Sequence, residues 1–386
     1  MNRREFFNTA TGLAAAAAMM KSAAGAANRA TEAAASNGGS VARTAKPLRI
    51  LILGGTRFLG VHMTQLALDR GHTVTLFNRG KTNANLFPQV EHLHGDRNGE
   101  LDSLRGRKWD AVIDDSGYFP RHVRLSAELL APNVQQYLFI STISVYASLA
   151  QPVTEDSPVG KIADETVETT DAGNYGPLKA LCEKAAMAAM PGRTAVFRPG
   201  LIVGPHDNTD RFTYWPARAA RGGEMLAPGT PRDPIQFIDA RDLSAFALHV
   251  VENRVTGTFN VLSPPHMFSM GDLVTASIGA ANELAKPNPP PHAVWVSSDF
   301  LEKQQVEPWS DMPVWIPAKG EMAGAEQTSA TRAVRAGLAN RPIRQTVNDT
   351  LAWHLKRPEA ERETLKAGIA PEREQRVLSA WRDLNA

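Results

Sequence analysis

The apolar run Leu48-Arg49-Ile50-Leu51-Ile52-Leu53 ends directly on Gly54-Gly55-Thr56-Arg57-Phe58-Leu59-Gly60, and this junction restricts the fold more than any other stretch. A short apolar run bounded by a turn reads as a strand buried on both faces. Glycines at its end allow a tight turn and close approach of the backbone to a bound group. The amphipathic stretch Val61–Asp69 then reads as a helix, whose free N–H groups and positive dipole end suit phosphate oxygens. Strand and helix patterns alternate as far as Val261. Strands are expected at Leu48–Leu53, Thr73–Phe77, Val90–Leu93, Ala111–Ile113, Tyr137–Ile140 and Ala195–Arg198, with a further helix over Arg121–Leu130. This order predicts an α/β fold, a doubly wound parallel sheet covered on both faces.

Downstream, Tyr175-Gly176-Pro177-Leu178-Lys179 puts a tyrosine and a lysine on one helical face. Free tyrosine, with a pKa of about 10, is a poor base at neutral pH, and a nearby ammonium would stabilise its phenolate. The segment Phe139-Ile140-Ser141-Thr142-Ile143-Ser144-Val145-Tyr146 follows the fifth strand, and Tyr175 lies 33 residues beyond Thr142. Glycine turn, hydroxyl, tyrosine and lysine in this order resemble the extended branch of the short-chain dehydrogenase/reductase superfamily, the epimerase/dehydratase group. Arg198-Pro199-Gly200-Leu201-Ile202-Val203-Gly204-Pro205, Gln236-Phe237-Ile238-Asp239-Ala240-Arg241-Asp242-Leu243 and Gly257-Thr258-Phe259-Asn260-Val261 match later segments of that branch. The resemblance covers Leu48 to Val261 well and the remainder loosely.

The resemblance implies a Rossmann domain over 47–264 and a smaller C-terminal substrate lobe and cap over 265–386. Within that lobe, Pro287-Asn288-Pro289-Pro290-Pro291 interrupts the pattern before a short strand at His292–Val296 and helices near Ser329–Ala336 and Gln345–Leu355. Trp309 and Trp315 are expected to anchor the cap. Thr142, Tyr175 and Lys179 are the implied catalytic residues: Thr142 bonds the substrate oxygen, Tyr175 moves its proton, and Lys179 also holds the nicotinamide ribose. Gly54, Gly55, Thr56, Arg57, Phe58, Leu59 and Gly60 would cradle a pyrophosphate. Arg57 stands where the usual pattern has its middle glycine, as in atypical members that include relatives of the chloroplast stem-loop-binding proteins. At the end of the second strand, Asn78-Arg79 offers no acid for an NAD ribose. Arg79, with Arg57, instead suits a 2′-phosphate, so NADP is favoured over NAD; a solvated loop cation is the alternative. Asp96 matches the adenine-binding aspartate and Arg97 follows it, while Ser116, Gly117 and Pro199 fall beside the expected cofactor. No metal is expected: Asp114 and Asp115 read as polar loop residues, and His92 and His94 as ordinary strand histidines.

Nucleotide-sugar members carry a diphosphate-binding arginine where this chain has Ile235, beside Gln236, so a small non-nucleotide substrate is expected, with Arg232 reaching round as a substitute the alternative. Tyr118, His206, Asp207, Arg211, Tyr214 and Trp215 are the pocket candidates, with loop packing as the alternative for each. They would suit a sugar, a polyol or an aromatic alcohol. The expected function is an NAD(P)-dependent oxidoreductase of the epimerase/dehydratase type. Its rival is a non-catalytic nucleotide-sensing or RNA-binding module on the same fold.

A net charge of +2 gives no basic field for nucleic acid. The one cysteine, Cys182, rules out an intrachain disulfide and reads as a packed apolar side chain. At the N-terminus, Asn2-Arg3-Arg4-Glu5-Phe6-Phe7 and the alanine-rich run to Met20 resemble a twin-arginine export signal, too short to span a bilayer stably. With the polar linker to Lys46 they make up residues 1–46. They imply the twin-arginine export machinery as a partner and a periplasmic location; a cytoplasmic protein with an alanine-rich leader is the alternative. The resemblance further implies a homodimer through the helices flanking Tyr175.

Overall fold

The structure is a computed structural model describing residues 43–171 and 173–385. The expected export signal and most of the linker lie outside the described residues. The first part of the chain runs β1 (Arg49–Leu53), α1 (Leu59–Asp69), β2 (Thr73–Asn78), β3 (Glu91–His94), β4 (Trp109–Asp114), α2 (Pro120–Leu130), β5 (Val134–Ile140), α3 (Tyr175–Ala189) and β6 (Thr194–Pro199). It continues with β7 (Leu201–Val203), α4 (Tyr214–Ala220), β8 (Glu224–Pro228), β9 (Pro234–Ile235), β10 (Phe237–Asp239), α5 (Ala240–Glu252) and β11 (Gly257–Val261). Seven of these strands form a parallel sheet in the order β11-β6-β5-β4-β1-β2-β3. The expected doubly wound sheet is present.

The alternation of side chains along β1 explains why that strand has no polar face. Ile50 and Ile52 enter the core beneath α1 and α5 with Met63, Leu243 and Ala247. Leu51 and Leu53 enter the opposite core, beneath α2 and α3, with Val112, Tyr137, Phe139 and Cys182. Strand order reverses between β1 and β4, whose ends are in register at Leu53 and Asp114. In open α/β sheets the crevice beyond the strand ends at this reversal receives the ligand.

The second lobe adds β12 (Phe268–Ser269), α6 (Met270–Ala280), β13 (His292–Val296), α7 (Ser298–Lys303), α8 (Thr331–Arg335), α9 (Ile343–His354), α10 (Glu359–Glu363) and α11 (Pro371–Asn385). It does not begin cleanly at the expected boundary of 264. β8 pairs with β13, β9 with β12, and Phe212, Trp215, Met225 and Leu226 share its core with Leu273, Val296, Trp315 and Leu351. Strand pairing returns the chain to this lobe twice, which a boundary drawn along the sequence misses. A buried ion pair, Arg218 to Glu374 at 2.6 Å, ties α4 to α11. Ser269 and Asp272 form a reciprocal capping box that starts α6.

Candidate active site

Gly54 and Gly55 have φ of 123° and 88°, values costly for any residue with a Cβ. A Cβ at Gly60 would lie 2.7 Å from the Cα of Gly55, so the start of α1 is pressed against the turn. No side chain caps α1 and no acid occupies its first turn, which leaves its positive end for an oxyanion. The turn thus fits the pyrophosphate of a dinucleotide. The Asn83 side chain donates to the Thr56 carbonyl at 2.8 Å and Asn78 to that of Gly54 at 3.3 Å, laying the loop after β2 over the turn. Arg57 and Arg79 stand exposed on this loop and turn, next to Phe58 and Gly80.

Beyond β3, Asp96 accepts from the Asn98 N–H at 3.0 Å and stays partly exposed. Arg97 departs from expectation. Its guanidinium is buried and grips both oxygens of Asp114, at 2.5 and 2.8 Å, with Ser126 at 2.7 Å. Asp114 is fully buried at the end of β4 and also accepts from the Tyr137 hydroxyl; without a cation such a carboxylate would be severely destabilising, so Arg97 faces inward rather than towards a cofactor. Ser116 donates to the Leu53 carbonyl at 2.9 Å. Gly117 admits no side chain, because a Cβ there would meet the Phe139 ring at 2.6 Å. Pro199 ends β6, buried and in register with Val261.

Asp115 is a residue that sequence reasoning passed over as loop. Its Oδ2 lies 2.8 Å from where a Cβ of Gly60 would stand, and its Cβ 3.6 Å from that of Gly54. Burial, with the charge of Asp114, pushes its carboxyl up to about 8. Alternation along β4 was the available signal: Asp114 faces α2, so the next side chain turns towards the glycines.

The catalytic candidates do converge. Thr142, in extended backbone, precedes a short 3₁₀ turn at Ile143–Val145, and its Oγ1 accepts from the Ser144 N–H at 3.1 Å. At Gly176 a Cβ would stand 2.0 Å from the Ser144 carbonyl oxygen, so only glycine lets α3 come this close. That contact brings the Tyr175 phenol close to the Thr142 hydroxyl. Lys179 takes a different role from the expected one. Its ammonium is buried and donates to the carbonyls of Gly117 and Ile140, both at 2.7 Å, over the Phe139 ring at 4.3 Å. Burial lowers its pKa. Tyr175 is raised above its ordinary value by burial and by Tyr118; the Thr142 hydrogen bond and the positive charge of Arg211 pull the other way. Arg211 is thus a cation that acts on this phenol.

A buried polar network supports the Thr142 segment from behind. Ser141 donates to Glu183 at 2.5 Å, and Arg198 meets both Glu183 oxygens at 3.0 and 2.7 Å. Arg198 also donates to the Tyr146 hydroxyl at 3.1 Å, which in turn donates to Asn260 at 2.5 Å. Sequence reading saw Arg198 and Tyr146 only as motif markers.

Among the pocket candidates, Trp215 is a correction. It is fully buried in the second lobe with its indole N–H on the Pro313 carbonyl at 2.8 Å, and Tyr214 is buried beside it. The aromatic pair reads as polar-tipped loop residues in sequence, but α4 turns it into the core. His206, at a φ of 70°, packs between His62 and Trp353, each ring centroid 5.6 Å away; burial lowers it to about 4. Asp207 is bonded by Thr209. Tyr118 is exposed, with the Lys179 ammonium 5.5 Å from its ring. Arg211 is partly buried, donates to Thr209 at 3.2 Å and sits 5.1 Å from the centre of the Trp309 ring. Ile235 is wholly buried, Gln236 bonds Ser263 and Thr328, and Arg232 is exposed. A cavity of about 20 Å³, room for about one water, is lined by Ile143, Leu201, Leu262, Trp309 and Glu326 among others. Trp309 and Trp315 are both buried in the second lobe's core. No cluster of three or more metal-ligating side chains occurs among the described residues, and no described helix is long and apolar enough to cross a membrane.

Parts of the chain are similar to known proteins. Residues 121–261 match the NAD dependent epimerase/dehydratase family. The chain is 34% identical over 229 residues to the chloroplast stem-loop binding protein of 41 kDa b of Arabidopsis thaliana, covering 53% of this chain and 55% of that one. It is 27% identical over 219 residues to the 2-alkyl-3-oxoalkanoate reductase of Stenotrophomonas maltophilia (strain K279a), covering 52% and 64%. The chain thus spans less than two thirds of either relative. The fold is shared with the enzyme WbmH of Bordetella bronchiseptica, solved in complex with NAD+: TM-score 0.56, 16% identity, 81% of this chain and 99% of that one.

Proposed function

We propose that the chain is an NAD(P)-dependent oxidoreductase of the epimerase/dehydratase type acting on a hydroxyl or keto group of a small, non-nucleotide substrate. The observation that carries this reading is the Thr142–Tyr175 hydroxyl pair, held by the Gly176 contact in the same crevice as the glycine turn. The nicotinamide, when bound, exchanges hydride with the substrate carbon. Tyr175 gives or takes the proton of the substrate oxygen, and Thr142 hydrogen-bonds that oxygen. Lys179 fastens the Gly117 loop to the end of β5, so the floor of the site is rigid. The buried Ile235 supports a non-nucleotide substrate, since an apolar side chain makes no charge-assisted bond to a diphosphate. One relative is named for reducing a 2-alkyl-3-oxoalkanoate, which supports keto or hydroxyl chemistry.

NADP is the proposed cofactor, because β2 ends without an acid and with the exposed Arg79 near Arg57. The Arg3-Arg4 leader supports twin-arginine export of the folded protein to the periplasm, where a redox-neutral cycle on a retained cofactor would avoid dependence on free nucleotide. Denaturing the purified protein and identifying the released nucleotide by mass spectrometry tests this reading. Stoichiometric NADP(H) or NAD(H), with turnover lost in Tyr175→Phe, upholds it. An empty protein that takes up neither nucleotide overturns it. The second reading, a nucleotide-sensing or RNA-binding module, rests on the 34% identity to the stem-loop binding protein; unchanged function in Tyr175→Phe would favour it.

A further inference from the structure

The buried arginines of this fold come with carboxylates. Arg97 meets Asp114, Arg198 meets Glu183 and Arg218 meets Glu374, each within 2.7 Å. Arg211 is different. Among the described residues no carboxylate lies within ion-pair distance of it, and its terminal nitrogens make no hydrogen bond; only Nε is engaged, by Thr209. Burial lowers its pKa, the mark of a cation short of solvation.

Its position is equally specific. Arg211 lies in the loop between β7 and α4, and its guanidinium packs against Trp309 from the second lobe. Trp309 also lines a small cavity together with Ile143, the residue after Thr142. Arg211 is near enough to the Tyr175 phenol for the charge of each to act on the other. Asp207 acts on Arg211 through space but lies beyond ion-pair distance. Asp207 is bonded by the Thr209 N–H and hydroxyl and has its pKa raised by burial. Glu326, in the cavity wall, is pushed by burial up to about 8 and accepts from the Gln236 N–H.

A partly buried guanidinium without a counter-ion is costly, and its planar fork matches an oxyanion. We propose that Arg211 anchors an oxyanion of the substrate, so that the carbon reacting at Tyr175 belongs to a hydroxy or keto acid, or to a phosphate ester, and not to a neutral alcohol or sugar. This inference rests on the oxidoreductase reading and adds the charge of the substrate to it.

The test is calorimetric titration of the full chain, first with NADP(H) or NAD(H), then, with reduced cofactor present, with matched probes. Lactate and 3-hydroxybutanoate are set against their methyl esters, and glycerol 3-phosphate against glycerol. The charged member of at least one pair should bind about tenfold tighter or more, as charge-assisted hydrogen bonds imply. Arg211→Gln should erase that preference and Arg211→Lys retain part of it, with cofactor affinity and melting temperature unchanged in both. A preference in the carboxylate pairs identifies an acid; one confined to the phosphate pair identifies a phosphate ester. Equal binding within every pair, no binding of any probe, or a preference that survives Arg211→Gln overturns the anchor. Failure of the wild type to bind either nucleotide would instead strike the oxidoreductase reading, which separates the two failures.

Discussion

Gly176 and Ser144 touch more closely than any other residue pair at position 176 would allow: a Cβ on Gly176 would stand 2.0 Å from the Ser144 carbonyl oxygen. This approach presses the first turn of α3 against the turn that carries Thr142. Gly176→Ala should therefore displace Tyr175 from Thr142. Since backbone lies on the other side of the clash, the strain should cost about 1–3 kcal/mol of stability. Turnover should fall by about a hundredfold, the usual effect of an ångström-scale misplacement, while cofactor affinity persists. Denaturant melts, kinetics and nucleotide titration on the same preparation check this; a variant with full turnover would show that the contact does not set the pair.

Asp115 should make nucleotide binding at the glycine turn pH-dependent. Its carboxyl, at about 8, is protonated at neutral pH, and it faces the glycine turn where phosphate is expected. The charged and titratable groups around it are Asp114, Lys179 and Tyr118, with Arg57 acting on Tyr118. A neutral acid tolerates or donates to a phosphate oxygen, and a carboxylate repels it. Affinity should thus be full below about pH 7 and decline as pH rises through 8. Asp115→Asn should hold its affinity across that range. Nucleotide titrations between pH 6 and 9.5 decide the matter, and parallel curves for the two proteins would exclude the role.

Arg79 provides the test of cofactor choice. Arg79→Ala should weaken NADP binding by about tenfold, one charge-assisted contact, and leave NAD unaffected. Equal loss for both nucleotides, or none, would assign Arg79 to solvent.

Glu326 links stability to pH in a defined direction. Its folded pKa of about 8 lies above the ordinary value of about 4.3, so folding retains a proton that the unfolded chain releases. The stability it allows is fully present below about pH 4 and is lost as pH rises to 8. Glu326→Gln, which does not titrate, should match the wild type near pH 4 and become progressively more stable than it up to pH 8, with a constant gap above. Thermal melts at several pH values measure that gap; a gap independent of pH would mean that Glu326 is ionised throughout.

Much of the scaffold was legible because it is written in local pattern. The uninterrupted apolar residues of β1 feed two cores at once, which announces a central parallel strand. The glycines at 54, 55 and 60 announce a close backbone approach, and Thr142 and Tyr175 sit at positions that the fold brings near each other. Sequence alone thus determined the sheet and the place of the glycine turn, and it named the two hydroxyls proposed to react. Tertiary structure decided what each polar side chain faces. Lys179 meets two carbonyls and Arg97 meets Asp114, because buried charges take the nearest partners whatever their spacing along the chain. Trp215 goes to the core while Arg211, four residues earlier, stays unpaired beside the site. The last two depend on contacts from Pro313 and Trp309, roughly a hundred residues away in sequence, and no local periodicity encodes them.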